Sequence, residues 1–342
     1  MNYLKYLYSS PPTIAINLDK NNHTCFSYIT DDNKLISYPT YFDNDKIAGN
    51  LELKLNNNKS TIIESLNIYL IGVLLSPNSK IKENIFEDFI QISEPNNPKN
   101  IINEITNFAF NFKPTKKPYE TYRGNSFQIK YYLNAVATIK INDNVSKIEN
   151  NVEICCLKPK PINTCNNELS NGDKSHNYNI GVENIIHINI KLLKNEFYLD
   201  NDAIIGKIKI VKSELQLNNI ILSIKREEKF FIGNTKIENS QVMAKFELVE
   251  GYPEEGDEMK FRYYLNGVKN LTPSYNNTTE ENVKKDKKFE VRYFLSFEFN
   301  EEKGYQFYKN IEISINRMNM KNSLMNKNKD DKKPNKGEDM NI

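Results

Sequence analysis

Cys155, Cys156, Cys165 and His176 form the only cluster of thiols and imidazole in this chain of 342 residues. Zinc sites use ligand pairs about two to four residues apart. Here the spacing is first adjacent and then wide, within a polar connection, so the cluster does not read as a metal centre. The other histidines, His23 and His187, lie far apart in the chain. His187 alternates with isoleucines, which puts it on the polar face of a strand. No local sequence pairs a cysteine with a base, as nucleophilic catalysis requires. Gly124 and Gly304 are single turn residues and not part of a phosphate-cradling loop. The pairs Glu254-Glu255 and Glu280-Glu281 lie in turn-rich stretches and read as solvated faces. No catalytic residue, metal ligand or cofactor is assigned.

The tripeptide Asp43-Asn44-Asp45 recurs as Asp200-Asn201-Asp202. Its carboxylates fall short of the six or more oxygens that calcium takes, whereas Asp and Asn close tight turns through their own backbone. Gly49 and Gly206 follow at the same offset. They mark a bulge or a close backbone approach within a strand. Another local feature is apolar. Ala244-Lys245-Phe246-Glu247-Leu248 alternates, and Val249 then breaks the alternation before Gly251-Tyr252-Pro253. With Phe246 and Leu248 facing a core, Val249 faces water at a hairpin tip, which is costly unless a partner covers it. A bulge that tucks Val249 inward is the alternative.

The elements that carry these residues are strands. Ile186-His187-Ile188-Asn189-Ile190-Lys191-Leu192 alternates at period two, as does Ile204 to Ile210, the mark of strands with one buried face. Similar segments recur near 12–18, 47–55, 61–75, 127–140, 149–157, 219–228, 241–249, 258–265, 288–298 and 305–316. Asn, Asp and Gly turns separate them, which predicts an all-β chain of sandwiches. Residues 80–92 are the exception. Ile81, Ile85, Phe86, Phe89 and Ile90 recur at helical spacing, which predicts a short amphipathic helix.

The repeats give the organisation. Tyr41 to Leu53 returns as Tyr198 to Ile210, and Phe127 to Leu133 returns as Phe289 to Leu295 in the same order. Two similar domains in tandem follow. The expected division is a β-sandwich over 1–157, a polar linker over 158–179 and a second β-sandwich over 180–316. Residues 317–342 are too polar to offset chain entropy and are expected to be disordered. With 46 basic against 44 acidic residues, there is no excess charge for nucleic acid. The longest apolar run, Ile68 to Leu75, is too short to span a bilayer. Adjacent cysteines at low count and an N-terminus without a signal-peptide core point to a reducing, cytoplasmic setting.

Three stretches resemble a known family. They are Lys117-Pro118-Tyr119-Glu120-Thr121-Tyr122-Arg123-Gly124 with Ile129 to Leu133, then Gly181 to Ile188 with Tyr198-Leu199 and Ile205 to Ile208, and then Lys287 to Leu295. Together they resemble the vacuolar protein sorting-associated protein 26 family, the arrestin-like subunit of retromer. The resemblance implies an arrestin-like fold of two β-sandwiches and a non-enzymatic scaffold role. It implies transport of membrane cargo from endosomes to the Golgi or plasma membrane, on the cytosolic face of the endosome. The implied partners are the helical-solenoid retromer subunit 35, through it subunit 29, a sorting nexin and cargo tails, with the membrane reached indirectly. Leu248 and Val249, preceded by Lys245-Phe246-Glu247, match the family's solenoid-contacting tip. Ile180, Gly181, Phe307 and Tyr308 match its cargo and sorting-nexin seam. A retriever-type paralogue and an arrestin-like receptor adaptor are the other readings of the same resemblance.

Overall fold

Isoleucine, tyrosine and phenylalanine at every second position favour extended backbone, because branched and aromatic side chains pack well on a half-buried pleated surface. The computed structural model describes residues 11–19, 24–29, 34–43, 45–54, 61–76, 81–93, 101–102, 105–141, 144–160, 175–182, 185–199, 202–232, 235–275 and 289–318. Among the described residues the single helical element is a 3-10 turn at Leu265–Gly267, and the fold is all-β. The core of the expected linker (161–174, with Cys165), the tail from 319, His23, Asn44, Asp200, Asn201 and Glu280-Glu281 lie outside the described residues.

The chain divides into two compact units, Met1–Lys158 and Pro159–Ile342. In the first, β1 (Thr13–Leu18), β4 (Ile47–Lys54) and β8 (Ile105–Phe112) form a small sheet in the order β1-β4-β8. A larger sheet runs β2-β3-β11-β10-β5-β6. Its strands are β2 (Thr24–Ile29), β3 (Leu35–Phe42), β11 (Asn144–Leu157), β10 (Gln128–Ile141), β5 (Thr61–Ser76) and β6 (Ile81–Ser93). Short β7 (Ile101–Ile102) pairs with β5, and β9 (Tyr122–Arg123) with β10. Leu51, Leu53 and Phe112 of the small sheet and Leu66, Ile68, Leu133 and Ala135 of the large one are buried. Asn150 Nδ2 joins the sheets by donating to the Ile14 carbonyl at 2.8 Å.

The second unit repeats this plan. β12 (His176–Val182), β13 (Ile186–Leu192), β15 (Ala203–Ser213) and β18 (Glu258–Tyr264) form a sheet in the order β12-β13-β15-β18. β14 (Glu196–Tyr198), β20 (Gln306–Asn316), β19 (Phe289–Glu301), β16 (Leu217–Ile232) and β17 (Thr235–Glu250) form the other, in the order β14-β20-β19-β16-β17. Phe261 of β18 lies 5.9 Å, ring to ring, from Phe297 of β19 across the core. Each unit is a two-sheet sandwich, and the tandem is arrestin-like.

The two sequence echoes have a structural cause. Tyr131 on β10 and Tyr293 on β19 are buried completely, and a buried phenol needs a hydrogen-bond partner. Tyr131 Oη donates to the Tyr119 carbonyl at 2.6 Å. Tyr293 Oη accepts from the Thr272 amide at 3.2 Å. Two residues beyond each partner, Thr121 and Ser274 accept through their hydroxyls from the amides of Cys156 and Ile315, both at 2.8 Å. Their own amides donate to the same residues' carbonyls, at 2.8 and 2.7 Å. Cys156 and Ile315 pair in parallel with Tyr41 of β3 and Phe197 of β14.

From there the chain enters the repeated turn. Asp45 Oδ2 accepts from the Phe42 amide at 2.9 Å, and Asp202 Oδ2 from the Tyr198 amide at 2.7 Å. The structural equivalent of Tyr198 is therefore Phe42 and not Tyr41, because the second turn is one residue longer. Gly49 on β4 sits between Leu18 and Phe110, and Gly206 on β15 between Leu192 and Phe261. Both are close backbone approaches. A Cβ on Gly206 would lie 2.7 Å from the Lys191 carbonyl oxygen and 2.6 Å from the Phe261 ring, and one on Gly49 would collide with the Asn17 carbonyl.

Residues 81–93 correct the helical expectation, since they form β6. Ile85 and Ile92 are extra residues in its ladder with β5. Each bulge resets the period-two alternation. Phe89 faces outward, 59% exposed, and stacks on Tyr69 of β5 at 6.0 Å. The bulges and this outward aromatic pair together mimic helical spacing.

Gly49→Ala and Gly206→Ala are expected to cost about 1–3 kcal/mol each through overpacking against the backbone. Gly267→Ala, with nothing near its added methyl group, is expected to change stability by less than about 0.5 kcal/mol. Urea midpoints of the three variants check the contrast.

Candidate docking surfaces

Cys155 and Cys156 lie at the end of β11, and both are buried thiols outside any disulfide. Burial pushes the Cys156 thiol strongly up, and the nearby Lys117 ammonium offsets only part of that rise. A thiol held protonated is a poor nucleophile. His187 is exposed on the outward face of β13, as its alternation predicts. Among the described residues no group of three His, Cys, Asp or Glu could hold a metal ion. The Asp45 and Asp202 carboxylates serve the turn amides, and Asp202 also pairs with Lys194 at 2.7 Å. Glu254 and Glu255 are exposed in the turn after β17, where the Glu254 amide donates to Asp257 Oδ2 at 2.8 Å.

Phe246, Leu248 and Val249 end β17, the outermost strand of its sheet. The Phe246 ring stacks on Tyr263 of β18 at 4.1 Å, which fixes one wall of the tip. In the ladder with β16, Val249 stands opposite Ile220 and Glu247 opposite Ile221, so Leu248 is an extra, bulged residue. Ile220 is wholly buried. The bulge thus turns Val249 toward the core side, and Leu248 and Val249 are both half-buried. Gly251 takes a φ of 106°, a left-handed conformation suited to glycine, and its amide donates to the Asn218 carbonyl at 3.0 Å. Tyr252 beside it is 58% exposed. Sequence reasoning passed over Tyr252 and Tyr263, because a tyrosine next to a turn has no distinctive spacing.

Ile180 and Gly181 lie on β12, which among the described strands ends its sheet and pairs with β13. Ile180 is half-buried and Gly181 exposed. A side chain at Gly181 would strike the Ile186 carbonyl, so β12 needs glycine there to lie against its neighbour. Phe307 and Tyr308 lie on β20 of the other sheet, opposite Phe299 and Glu298 of β19. Tyr308 is 51% exposed, with Lys225 Nζ 6.0 Å above its ring. No strand pairing brings the two pairs together, since they belong to different sheets.

Two sandwich units built almost wholly of strands define an arrestin-like all-β protein. The sequence model of the vacuolar protein sorting-associated protein 26 family matches residues 8–304, and the chain belongs to that family. It is similar to the vacuolar protein sorting-associated protein 26 of Schizosaccharomyces pombe, with 26% identity over 313 residues, covering 91% of this chain and 97% of the relative. The Plasmodium falciparum protein of the same name is 24% identical over 318 residues, 93% and 99% of the two chains. The Homo sapiens protein 26B is 25% identical over 288 residues, 84% and 79%.

Two outcomes follow from the buried groups of the first unit. Native protein at pH 7 is expected to leave Cys155 and Cys156 unlabelled by a maleimide, with labelling on denaturation, read by peptide mass mapping. Tyr41 is pushed up from 10.0 to about 12, by burial first and then by Asp19, Cys156 and Asp45. A raised folded pKa means stability that is intact below the unfolded value and lost as pH rises toward the folded one. Unfolding free energy is therefore expected to decline between about pH 10 and 12, and Tyr41→Phe to flatten that decline in urea titrations.

Proposed function

We propose that the chain is the arrestin-like scaffold subunit of a retromer-type cargo-recognition complex. It works in transport from endosomes to the Golgi or plasma membrane and performs no chemical step of its own. Membership of the vacuolar protein sorting-associated protein 26 family carries this reading. Among the described residues no helix is long and apolar enough to cross a membrane, in keeping with recruitment to the cytosolic face of the endosome through other proteins. In this reading 1–157 and 180–316 are the working domains and 158–179 links them.

Phe246, Leu248 and Val249 are the proposed contact for the helical-solenoid subunit 35, and through it subunit 29. Phe246 braces the tip against Tyr263, and the two aliphatic side chains beyond it are available for burial. Both are already half-buried, so covering the remainder stabilises the complex by about half of the roughly 1.5–3 kcal/mol that full burial of such a side chain supplies. Ile180 and Gly181, on an outermost strand, suit strand addition by an extended cargo tail held with a sorting nexin. Phe307 and Tyr308 supply the proposed aromatic contact on the neighbouring sheet.

Leu248→Asp combined with Val249→Asp is expected to weaken binding to the purified solenoid subunit by at least about tenfold, measured by calorimetry, with an unchanged circular dichroism spectrum. Unaltered affinity in a folded double variant would remove the tip as the contact.

A further inference from the structure

The outward face of the four-stranded sheet concentrates positive charge. Lys191 of β13, Lys207 of β15 and Lys260 of β18 stand directly opposite one another on neighbouring strands. Lys209 lies two residues beyond Lys207 on the same face, and Arg262 two beyond Lys260, opposite Ile205. Glu258 reaches into this run, with its Oε2 2.7 Å from Lys207 Nζ. Its acidity is raised by that hydrogen bond first, and then by the charges of Lys207, Lys260 and Lys209. Like charges opposite one another weaken a sheet. The chain as a whole is nearly balanced, so the clustering is local.

Within this run of cations lies a notch of about 420 Å³, lined on its apolar side by Leu193, Ile205, Gly206 and Phe261. Leu193 is 54% exposed. The cations at its margin are Lys191, Lys207, Lys260 and Arg262. We propose that this notch docks an extended acidic segment of a partner protein, with one bulky apolar side chain seated in the notch and carboxylates on either side meeting the cations. The site is distinct from the β17 tip and the β12 edge and does not rest on either assignment.

Two observations favour a peptide over an anionic membrane. The surface is concave and its lining largely apolar, which suits a single side chain. Strands lie about 4.8 Å apart, so the lysine row spans roughly 10 Å, about three residues of extended chain.

The test uses the full chain and a fluorescein-labelled dodecapeptide with a central leucine flanked by glutamates. Saturable binding that weakens as salt is raised is expected. Lys260→Glu combined with Arg262→Glu should weaken it by at least about tenfold, and replacing the peptide's leucine by serine should weaken it as well. Leu193→Asp, at an exposed position, tests the notch should the charge reversal unfold the protein. Equal affinity in either folded variant overturns the proposal, as does absence of peptide binding. If the peptide fails but phosphatidylserine vesicles sediment the chain in a Lys260- and Arg262-dependent manner, the face is a membrane surface and the peptide reading is wrong.

Discussion

A phenol that must be buried without losing its hydrogen bond organises each half of this protein. Tyr131 and Tyr293 sit at the centre of the two larger sheets, wholly out of water. Leaving either hydroxyl unsatisfied would cost its desolvation, so the segment that supplies the partner is drawn in against the sheet. The same segment then presents Thr121 or Ser274 to the next strand. That strand receives β3 or β14 in parallel, and those strands lead into the Asp-closed turns and the glycine-bearing strands β4 and β15. One buried polar group thus fixes the order of elements that follow one another in space but are far apart in sequence.

With their interiors occupied in this way, the units have surfaces to offer and no reaction centre among the described residues. Cys156 is held protonated by burial, and the half-buried Asp45 and Asp202 carboxylates accept from backbone amides. What is left for partners are strands at sheet margins, β12, β17 and β18, and the aromatic or charged groups beside them. β17 carries bulges at Met243 and Leu248, and such irregularities discourage indiscriminate strand pairing. In the proposed scaffold role, recognition at that margin falls to side chains such as Leu248 and Val249, whereas β12, with its regular ladder to β13, suits main-chain pairing.

The strands were legible because one face of each is apolar over long stretches, as in Ile186 to Leu192. The duplication was legible where equivalent residues face the core, as Tyr131 and Tyr293 do. Residues 81–93 misled because bulges at Ile85 and Ile92 break the alternation and Phe89 faces outward, which no local propensity reports. The turn match was one residue out of phase, because Asp45 and Asp202 serve the same role at different distances from the strand before them. The β17 tip was visible as a break in alternation, but the sense in which the bulge turns Val249 depends on pairing with Ile220. The row Lys191, Lys207 and Lys260 was invisible, since it exists only across three strands that are separated in the chain.

The longer second turn, between Tyr198 and Asp202, bears on how the halves drifted apart. A codon gained or lost inside β10 or β19 would throw a buried tyrosine to the opposite face and expose a row of apolar side chains. In the turn the same event leaves Asp202 still able to reach the Tyr198 amide. The extra residue is thus absorbed where an aspartate can still stretch to the last amide of the strand before it.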